Sequence, residues 1–118
     1  MNSYRSGKWA EFLARLYLRL HGYRIVAKNI VVGRGTTAGE IDIIASKNKC
    51  LVFVEVKKRC TLDEAAYAIT VKQRQRLIRG AAVFVGNQPQ YSGYDIRFDA
   101  VLVKLPFSIR HLQNAWIS

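Results

Sequence analysis

Two adjacent segments of alternating hydrophobicity constrain the fold of this 118-residue sequence more than any other feature. Glu40 to Ser46 and Cys50 to Lys57 each read as a β-strand, with Asn48 and Lys49 between them. Because successive strand residues point to opposite faces of a sheet, the two segments share one wholly apolar face. Its members are Ile41, Ile43, Ala45, Val52, Val54 and Val56. That face has to be covered, so the sequence predicts a sheet flanked by helices.

The turn between these strands decides which residues face each other. A two-residue turn, which an Asn tolerant of positive φ permits, places Asp42 opposite Glu55 and Glu40 opposite Lys57. Directly opposed side chains have Cβ atoms about 5 Å apart, and two carboxylates at that distance repel by roughly 3 kcal/mol at an effective dielectric constant of about 20. We therefore expect a cation or a shared proton between them. A register slip of two residues would leave a diagonal contact, and a slip of one would scramble the apolar face.

The polar residues of this hairpin are candidates for metal-dependent chemistry. Carboxylate oxygens suit Mg²⁺ or Mn²⁺ and nothing in the pattern suits zinc, so Asp42, Glu55 and Glu40 are candidate metal ligands. Glu40 alternatively serves only as an ion-pair partner of Lys57. Lys57 lies on the same face as Glu55 and can orient or deprotonate a water, or balance charge on a reacting phosphate. Metal, water and a cationic side chain are together what phosphodiester hydrolysis requires.

The remaining pattern predicts a single α/β domain over residues 1–118. Apolar residues recur at helical spacing from Ser3 or Ser6 to about His21, and Glu11 lies at the margin of that apolar stripe. Further along we expect strands over 23–29 and 94–104, a glycine-rich loop over 32–39, and a helix over 71–85 that a helical turn from Asp63 can precede. The segment 106–118 fits either a helix or a strand.

A formal charge of +11 indicates a polyanionic partner, because cations that meet phosphates release condensed counterions. Nucleic acid fits better than a membrane surface, since no helix has a clean basic face opposite a broad aromatic one, and no apolar run reaches the roughly 20 residues of a membrane span. Cys50 and Cys60 end one predicted strand and are too far apart to bridge; free thiols suit the cytoplasm. The candidate phosphate contacts, which alternatively form only a solvated basic face, are Lys58, Arg59, Lys72, Arg74, Arg76 and Arg79.

Five sequence blocks in order resemble one family of bacterial proteins. They are GKWAEFLARLYLRLHGYRIVAKN, GEIDIIA, LVFVEVKKR, ITVKQRQRL and RFDAVLV. Together they make the chain similar to the YraN-like family, within the PD-(D/E)xK nuclease superfamily. Ile41, rather than proline, precedes the acid of the second block.

The resemblance implies a restriction-endonuclease-like fold, a three-layer α/β/α arrangement around a central mixed sheet. It also implies that Asp42 and Glu55 are metal ligands and that Lys57 is the catalytic lysine. Glu11 corresponds to the acid of the first helix, and Gln73 to a polar residue of the following helix. Archaeal Holliday-junction resolvases share this order of acids, so branched DNA and a two-fold homodimer are further expectations.

Two functions from different classes compete at this point. One is a Mg²⁺- or Mn²⁺-dependent endonuclease that hydrolyses DNA, with branched or structured DNA preferred over linear DNA. The other is a non-catalytic module that keeps the nuclease fold and binds DNA or RNA, since charge attracts both. Among other residues, Asp99 and His21 read as structural, His111 has no assigned role, and Trp9 and Tyr67 either pack or stack on bases.

Overall fold

The computed structural model of the chain describes residues 3–32, 40–58, 69–104 and 107–116. Two helices, α1 (Ser3–Leu20) and α2 (Val71–Gly86), flank a five-stranded sheet. The strands are β1 (Arg24–Val31), β2 (Glu40–Lys47), β3 (Cys50–Lys58), β4 (Asp95–Lys104) and β5 (Ser108–Trp116), and a 3-10 turn at Pro89–Tyr91 precedes β4. Both predicted helices and all four predicted strands are therefore present, and the ambiguous C-terminal segment forms a strand.

The sheet is mixed and its strands lie in sequence order. β1, β2 and β3 are antiparallel neighbours, β3 and β4 are parallel, and β4 and β5 are antiparallel. The parallel pair requires a crossover, and α2 lies within it along the chain. This arrangement places the carboxyl ends of β3 and β4 at the same edge of the sheet, where Lys57 pairs with Leu102 and Lys58 with Val103.

The β2–β3 hairpin has the predicted turn and register. Asn48 and Lys49 both have positive φ, 52° and 57°, as a two-residue turn of the hairpin type requires. Lys47 pairs with Cys50, and the ladder continues in the same register to the pair Ile43–Val54. The next residues beyond this last pair are Asp42 on β2 and Glu55 on β3.

Each helix covers one face of the sheet, which gives the predicted three layers. α1 buries Ala10, Leu13, Ala14 and Leu18 against one face, whose buried residues are Ile43, Ala45, Val52, Val54, Val101 and Val103. α2 buries Leu77, Ala81 and Phe84 against the other, whose buried residues include Ile44, Leu51, Phe53, Phe98, Ala100 and Leu102. The observed fold is the three-layer α/β/α arrangement with a central mixed sheet that the resemblance implies.

Ile41 is an exception to the predicted alternation of β2. The alternation predicts that it shares the α1-facing side with Ile43, but it is buried in the cluster under α2. A Cβ added to Gly80 of α2 would lie 3.3 Å from Ile41 Cδ1, which fixes the side it occupies. The β2–β3 ladder has ended at Ile43, so beyond that residue no cross-strand pairing to β3 enforces the period of two.

A buried carboxylate holds β5 to β4 where their pairing is irregular. The register shifts between Phe98 and Ala100, and Asp99 lies in the gap, fully buried. Its oxygens accept hydrogen bonds from the Arg97 guanidinium at 2.9 Å and from the Asn114 N–H at 2.9 Å, and they lie 2.7 Å from His111 Nε2. Asp99 is therefore structural as expected. His111, which had no expected role, is part of the same network.

Several expectations fall on residues outside the described ranges. They are the glycine-rich stretch 33–39, the helical turn from Asp63, Cys60, Tyr67 and the candidate phosphate contact Arg59. Cys50 has a free thiol. Neither helix in the described part of the chain is long and apolar enough to cross a membrane.

Candidate metal and nucleic-acid site

Asp42 and Glu55 meet where the β2–β3 ladder opens. The Asp42 carboxylate, through Oδ2, accepts a hydrogen bond from the backbone N–H of Val56 at 2.9 Å. The Glu55 carboxylate is close enough for its charge to raise the pKa of Asp42.

The electrostatics of the pair reflect burial and mutual repulsion. The pKa of Asp42 is raised from 3.8 to about 7, first by burial and then by the Glu55 carboxylate, with smaller effects from Glu11 and Glu40. The Val56 N–H lowers this pKa but offsets only part of the increase. Burial likewise raises the pKa of Glu55, although the Lys57 ammonium opposes the effect. Two negative charges at this pair are therefore unfavourable, and the shared proton or bound cation expected between the two acids stays a prediction.

Lys57 lies beside the acidic pair on the same strand. Its Nζ is 3.4 Å from Glu55 Oε1, and both side chains are only 16% exposed. The strand period of two puts Glu55 and Lys57 on one face, so one short segment supplies both a carboxylate and an ammonium group. The pairing of Glu40 with Lys57 is not observed in the β2–β3 ladder, which ends before either residue.

Glu11 brings α1 to the site from the other side of the sheet. Its charge contributes to the raised pKa of Asp42. Glu11 Oε1 is buried and has no hydrogen-bond partner among the described residues, and Lys8 Nζ is 3.9 Å away. A buried carboxylate oxygen without a donor is unfavourable, so this atom is suited to a ligand, a water or a metal-bound water.

Helix α2 supplies the opposite wall of a cleft of about 220 Å³. The cleft is lined by Glu40, Asp42, Glu55, Gln73, Arg76 and Leu77. Gln73 also forms a capping box with Thr70 at the start of α2. Its N–H donates to Thr70 Oγ1 at 3.1 Å and its Oε1 accepts from the Thr70 N–H at 3.0 Å. The amide NH₂ of Gln73 is thus the part of this side chain left for a ligand.

The predicted basic residues of α2 separate into two groups. Lys72, Arg76 and Arg79 are exposed and follow the i, i+4, i+7 spacing of one helix face. Arg74 is half-buried, and its Nε is buried without a hydrogen-bond partner in the described part of the chain, so it does not belong to that solvated face. Lys58 ends β3 at the sheet edge where this strand and β4 have their carboxyl ends.

The residues present fit a hard divalent cation better than any other metal. Asp42 and Glu55 offer two adjacent carboxylates, which is the number that Mg²⁺ commonly takes from a protein. Within the described ranges, no group of three or more His, Cys, Asp or Glu side chains is close enough to hold a metal ion. The charges of Glu40 and Glu11 both raise the pKa of Asp42, and Glu40 as a third metal ligand stays a prediction.

One predicted phosphate contact lies closer to the acidic pair than its place in the sequence indicates. The sequence places Arg76 only on a basic helix face, but it lines the acidic cleft itself. The signal that could have placed it there is its spacing, because Arg76 follows Gln73 by three residues and so shares a helix face with it.

Comparisons with known proteins agree on one family. The model of the family described as "Uncharacterised protein family UPF0102" matches residues 10–103. The UPF0102 protein amb4503 of Paramagnetospirillum magneticum is 49% identical over 115 residues, covering 95% of this chain and 87% of the relative. A UPF0102 protein of Parvibaculum lavamentivorans is 45% identical, and one of Rhodopseudomonas palustris is 43% identical. These two matches cover 97% of this chain and 83% and 82% of the relatives.

Among solved structures, the chain is similar to SfsA of Pyrococcus furiosus in complex with Ca²⁺. The TM-score is 0.34 at 16% sequence identity, and the match covers 95% of this chain and 64% of that chain. From the family model and the curated relatives, the chain belongs to the UPF0102 family, the YraN-like family that its five sequence blocks indicate.

Proposed function

We propose that this protein is a metal-dependent nuclease that hydrolyses phosphodiester bonds of DNA. The observation that carries the proposal is the pair of half-buried carboxylates Asp42 and Glu55 in one cleft, where the pKa of Asp42 is raised to about 7. Repulsion between two half-buried carboxylates is unfavourable for folding, and a divalent cation would relieve it. A purely structural sheet gains nothing from this pair.

The cleft supplies the groups that such a reaction needs. Asp42 and Glu55 would hold Mg²⁺ or Mn²⁺, which supplies a more acidic water and neutralises charge on the phosphate. Lys57, kept in place by Glu55 at 3.4 Å, donates hydrogen bonds to the attacking water or to a phosphate oxygen. Glu11, whose Oε1 has no hydrogen-bond partner among the described residues, accepts a hydrogen bond from a water near Asp42.

The opposite wall orients the nucleic acid. Arg76 reaches the cleft from α2, and its guanidinium can hold two oxygens of one phosphate. Lys72 and Arg79 extend the same exposed helix face beyond the cleft. These cations, within a chain of formal charge +11, favour a phosphate backbone that crosses the acidic pair. DNA is the proposed substrate over RNA.

A cleavage assay tests the proposal. Linear duplex, single-stranded and four-way-junction DNA, and RNA, are each incubated with Mg²⁺, Mn²⁺ or EDTA. We expect metal-dependent cleavage that falls by at least about a hundredfold in Asp42→Asn and in Lys57→Ala, with DNA binding retained. Lys28→Ala, which removes one exposed positive charge from β1, is the matched control and should cleave normally.

The alternatives have distinct outcomes in the same assay. Tight binding without cleavage under every condition would assign the protein to the class of non-catalytic nucleic-acid-binding modules. Cleavage that survives Asp42→Asn would show that the acidic pair is not the reacting centre.

A further inference from the structure

An aromatic cluster lies at the first half of α1, outside the acidic cleft. Trp9 stacks on Phe12, with ring centroids 5.6 Å apart and planes 22° from parallel. Phe107, in the turn between β4 and β5, approaches Trp9 edge-on at 6.5 Å. Trp9 is half-buried, whereas Phe12 is 47% and Phe107 72% exposed. We call these three residues the aromatic platform.

The aromatic platform and Lys57 lie toward the same end of the sheet. Phe12 directly follows Glu11, whose charge acts on Asp42. Phe107 follows Lys104, the last residue of β4, and β4 is parallel to β3 so that their carboxyl ends share an edge. Lys57 lies at that edge. The aromatic platform is on the α1 side of that end of the sheet, whereas the acidic cleft is lined by α2.

The surroundings of the aromatic platform are cationic. Lys104 and Arg110 are exposed residues near Phe107 along the strand end and the facing strand, and Lys8 precedes Trp9 on α1, with its Nζ 3.9 Å from Glu11 Oε1. Glu11 is the acid next to the platform along α1. Exposed aromatic rings among cations are the combination that single-stranded nucleic acid uses, since bases stack on rings while phosphates meet cations.

We propose that the aromatic platform stacks unpaired bases, so that the protein binds nucleic acid with single-stranded character. This inference rests on the proposed nuclease function for its meaning, but its binding test does not. A second copy of the chain is a poorer occupant, because it would bring another +11 charge to the same cationic surface. A nucleic acid strand, in contrast, brings phosphates whose negative charge complements this cationic surface.

Binding measured in EDTA separates stacking from catalysis. Fluorescence anisotropy compares a labelled single-stranded oligonucleotide, the same strand with abasic sites, and the blunt duplex. We expect Phe107→Ala to bind the single strand about five- to a hundredfold more weakly and to bind the duplex as the wild type does. Phe107→Trp should retain binding, while Phe107→Leu, which is apolar but has no ring, should lose it.

Two controls complete the design. Leu20→Ala removes a 75% exposed apolar side chain at the far end of α1 and should leave single-strand binding unchanged. The abasic strand should bind the wild type weakly and should no longer distinguish it from Phe107→Ala.

Three results would overturn the inference. They are full single-strand binding by Phe107→Leu, equal losses for single strand and duplex, or a dimer in light scattering that Phe107→Ala dissociates. Wild type and Phe107→Ala could also cleave duplex equally and bind the single strand equally. That result would overturn the stacking role of the aromatic platform and leave the nuclease proposal intact. Ring-dependent single-strand binding without any cleavage would support the stacking role and overturn the nuclease proposal.

Discussion

Replacing Asp42 by Asn should stabilise the metal-free protein, and the gain should depend on pH. The pKa of Asp42 rises from 3.8 to about 7 on folding, chiefly through burial and the Glu55 charge. Each unit of difference between folded and unfolded pKa corresponds to about 1.4 kcal/mol. Ionised Asp42 therefore disfavours the folded state by about 4 kcal/mol above pH 7, and partial contact with solvent reduces this to about 2–4 kcal/mol.

The direction in which stability changes with pH follows from which state, folded or unfolded, holds the proton on Asp42. Below pH 3.8 Asp42 is protonated in both states and the raised pKa has no unfavourable effect. Between pH 3.8 and about 7 the unfolded chain ionises while the folded protein keeps the proton, so stability from this group is lost as pH rises. An amide cannot ionise, and its oxygen can still accept the Val56 N–H. Asp42→Asn should thus match the wild type near pH 4 and exceed it at pH 8.

Urea denaturation in EDTA, followed by circular dichroism at pH 4, 6 and 8, measures the difference. Asp95→Asn is the matched control, because it removes the same charge from an exposed position of β4. Adding Mg²⁺ or Mn²⁺ at pH 8 should stabilise the wild type by mass action and leave Asp42→Asn nearly unchanged. An Asp42→Asn effect that is the same at all three pH values would refute the reasoning from repulsion and burial.

Two further predictions concern the fold. Asp99→Asn should lower the free energy of unfolding by about 3–5 kcal/mol, because it breaks a buried charged network; Asp95→Asn on the same strand is the control, and equal effects would contradict the assignment. Gly80→Ala should be less stable than Gly86→Ala by about 1–3 kcal/mol, since the added Cβ meets Val32 Cγ2 at 3.0 Å at the first position and nothing within 4 Å at the second. Thermal melts that rank the two alanine variants in the opposite order would show that the helix can shift to accommodate the methyl group.

The hairpin and the helices were predictable because each depends on local pattern. The positive φ of Asn48 and Lys49 fixes the turn, and the turn fixes the register that brings Asp42 to Glu55. Helix α1 follows from apolar residues at helical spacing. In each case the sequence carries the information within a few residues of where it acts.

The remaining features depend on contacts that local pattern does not record. β5 was ambiguous because its residues follow no clear alternation, and its pairing is held by the buried Asp99, which accepts from Asn114 across a shift in register. His111 has a role only because that carboxylate lies 2.7 Å from it. Arg76 is predicted as a phosphate contact but not as a neighbour of the acidic pair, because the wall of the cleft comes from a helix distant in sequence from the hairpin.

The acidic pair is built into the sheet, which limits how its role can be tested. Asp42 takes the place of a backbone acceptor for Val56, so a side chain with no oxygen would leave a buried N–H unpaired, at about 1–3 kcal/mol. Loss of cleavage in Asp42→Ala would therefore mix a missing ligand with a disturbed strand. Asp42→Asn keeps the acceptor and removes the charge. Any activity that it loses comes from the charge, which is the property on which the proposed binding of a cation between β2 and β3 depends.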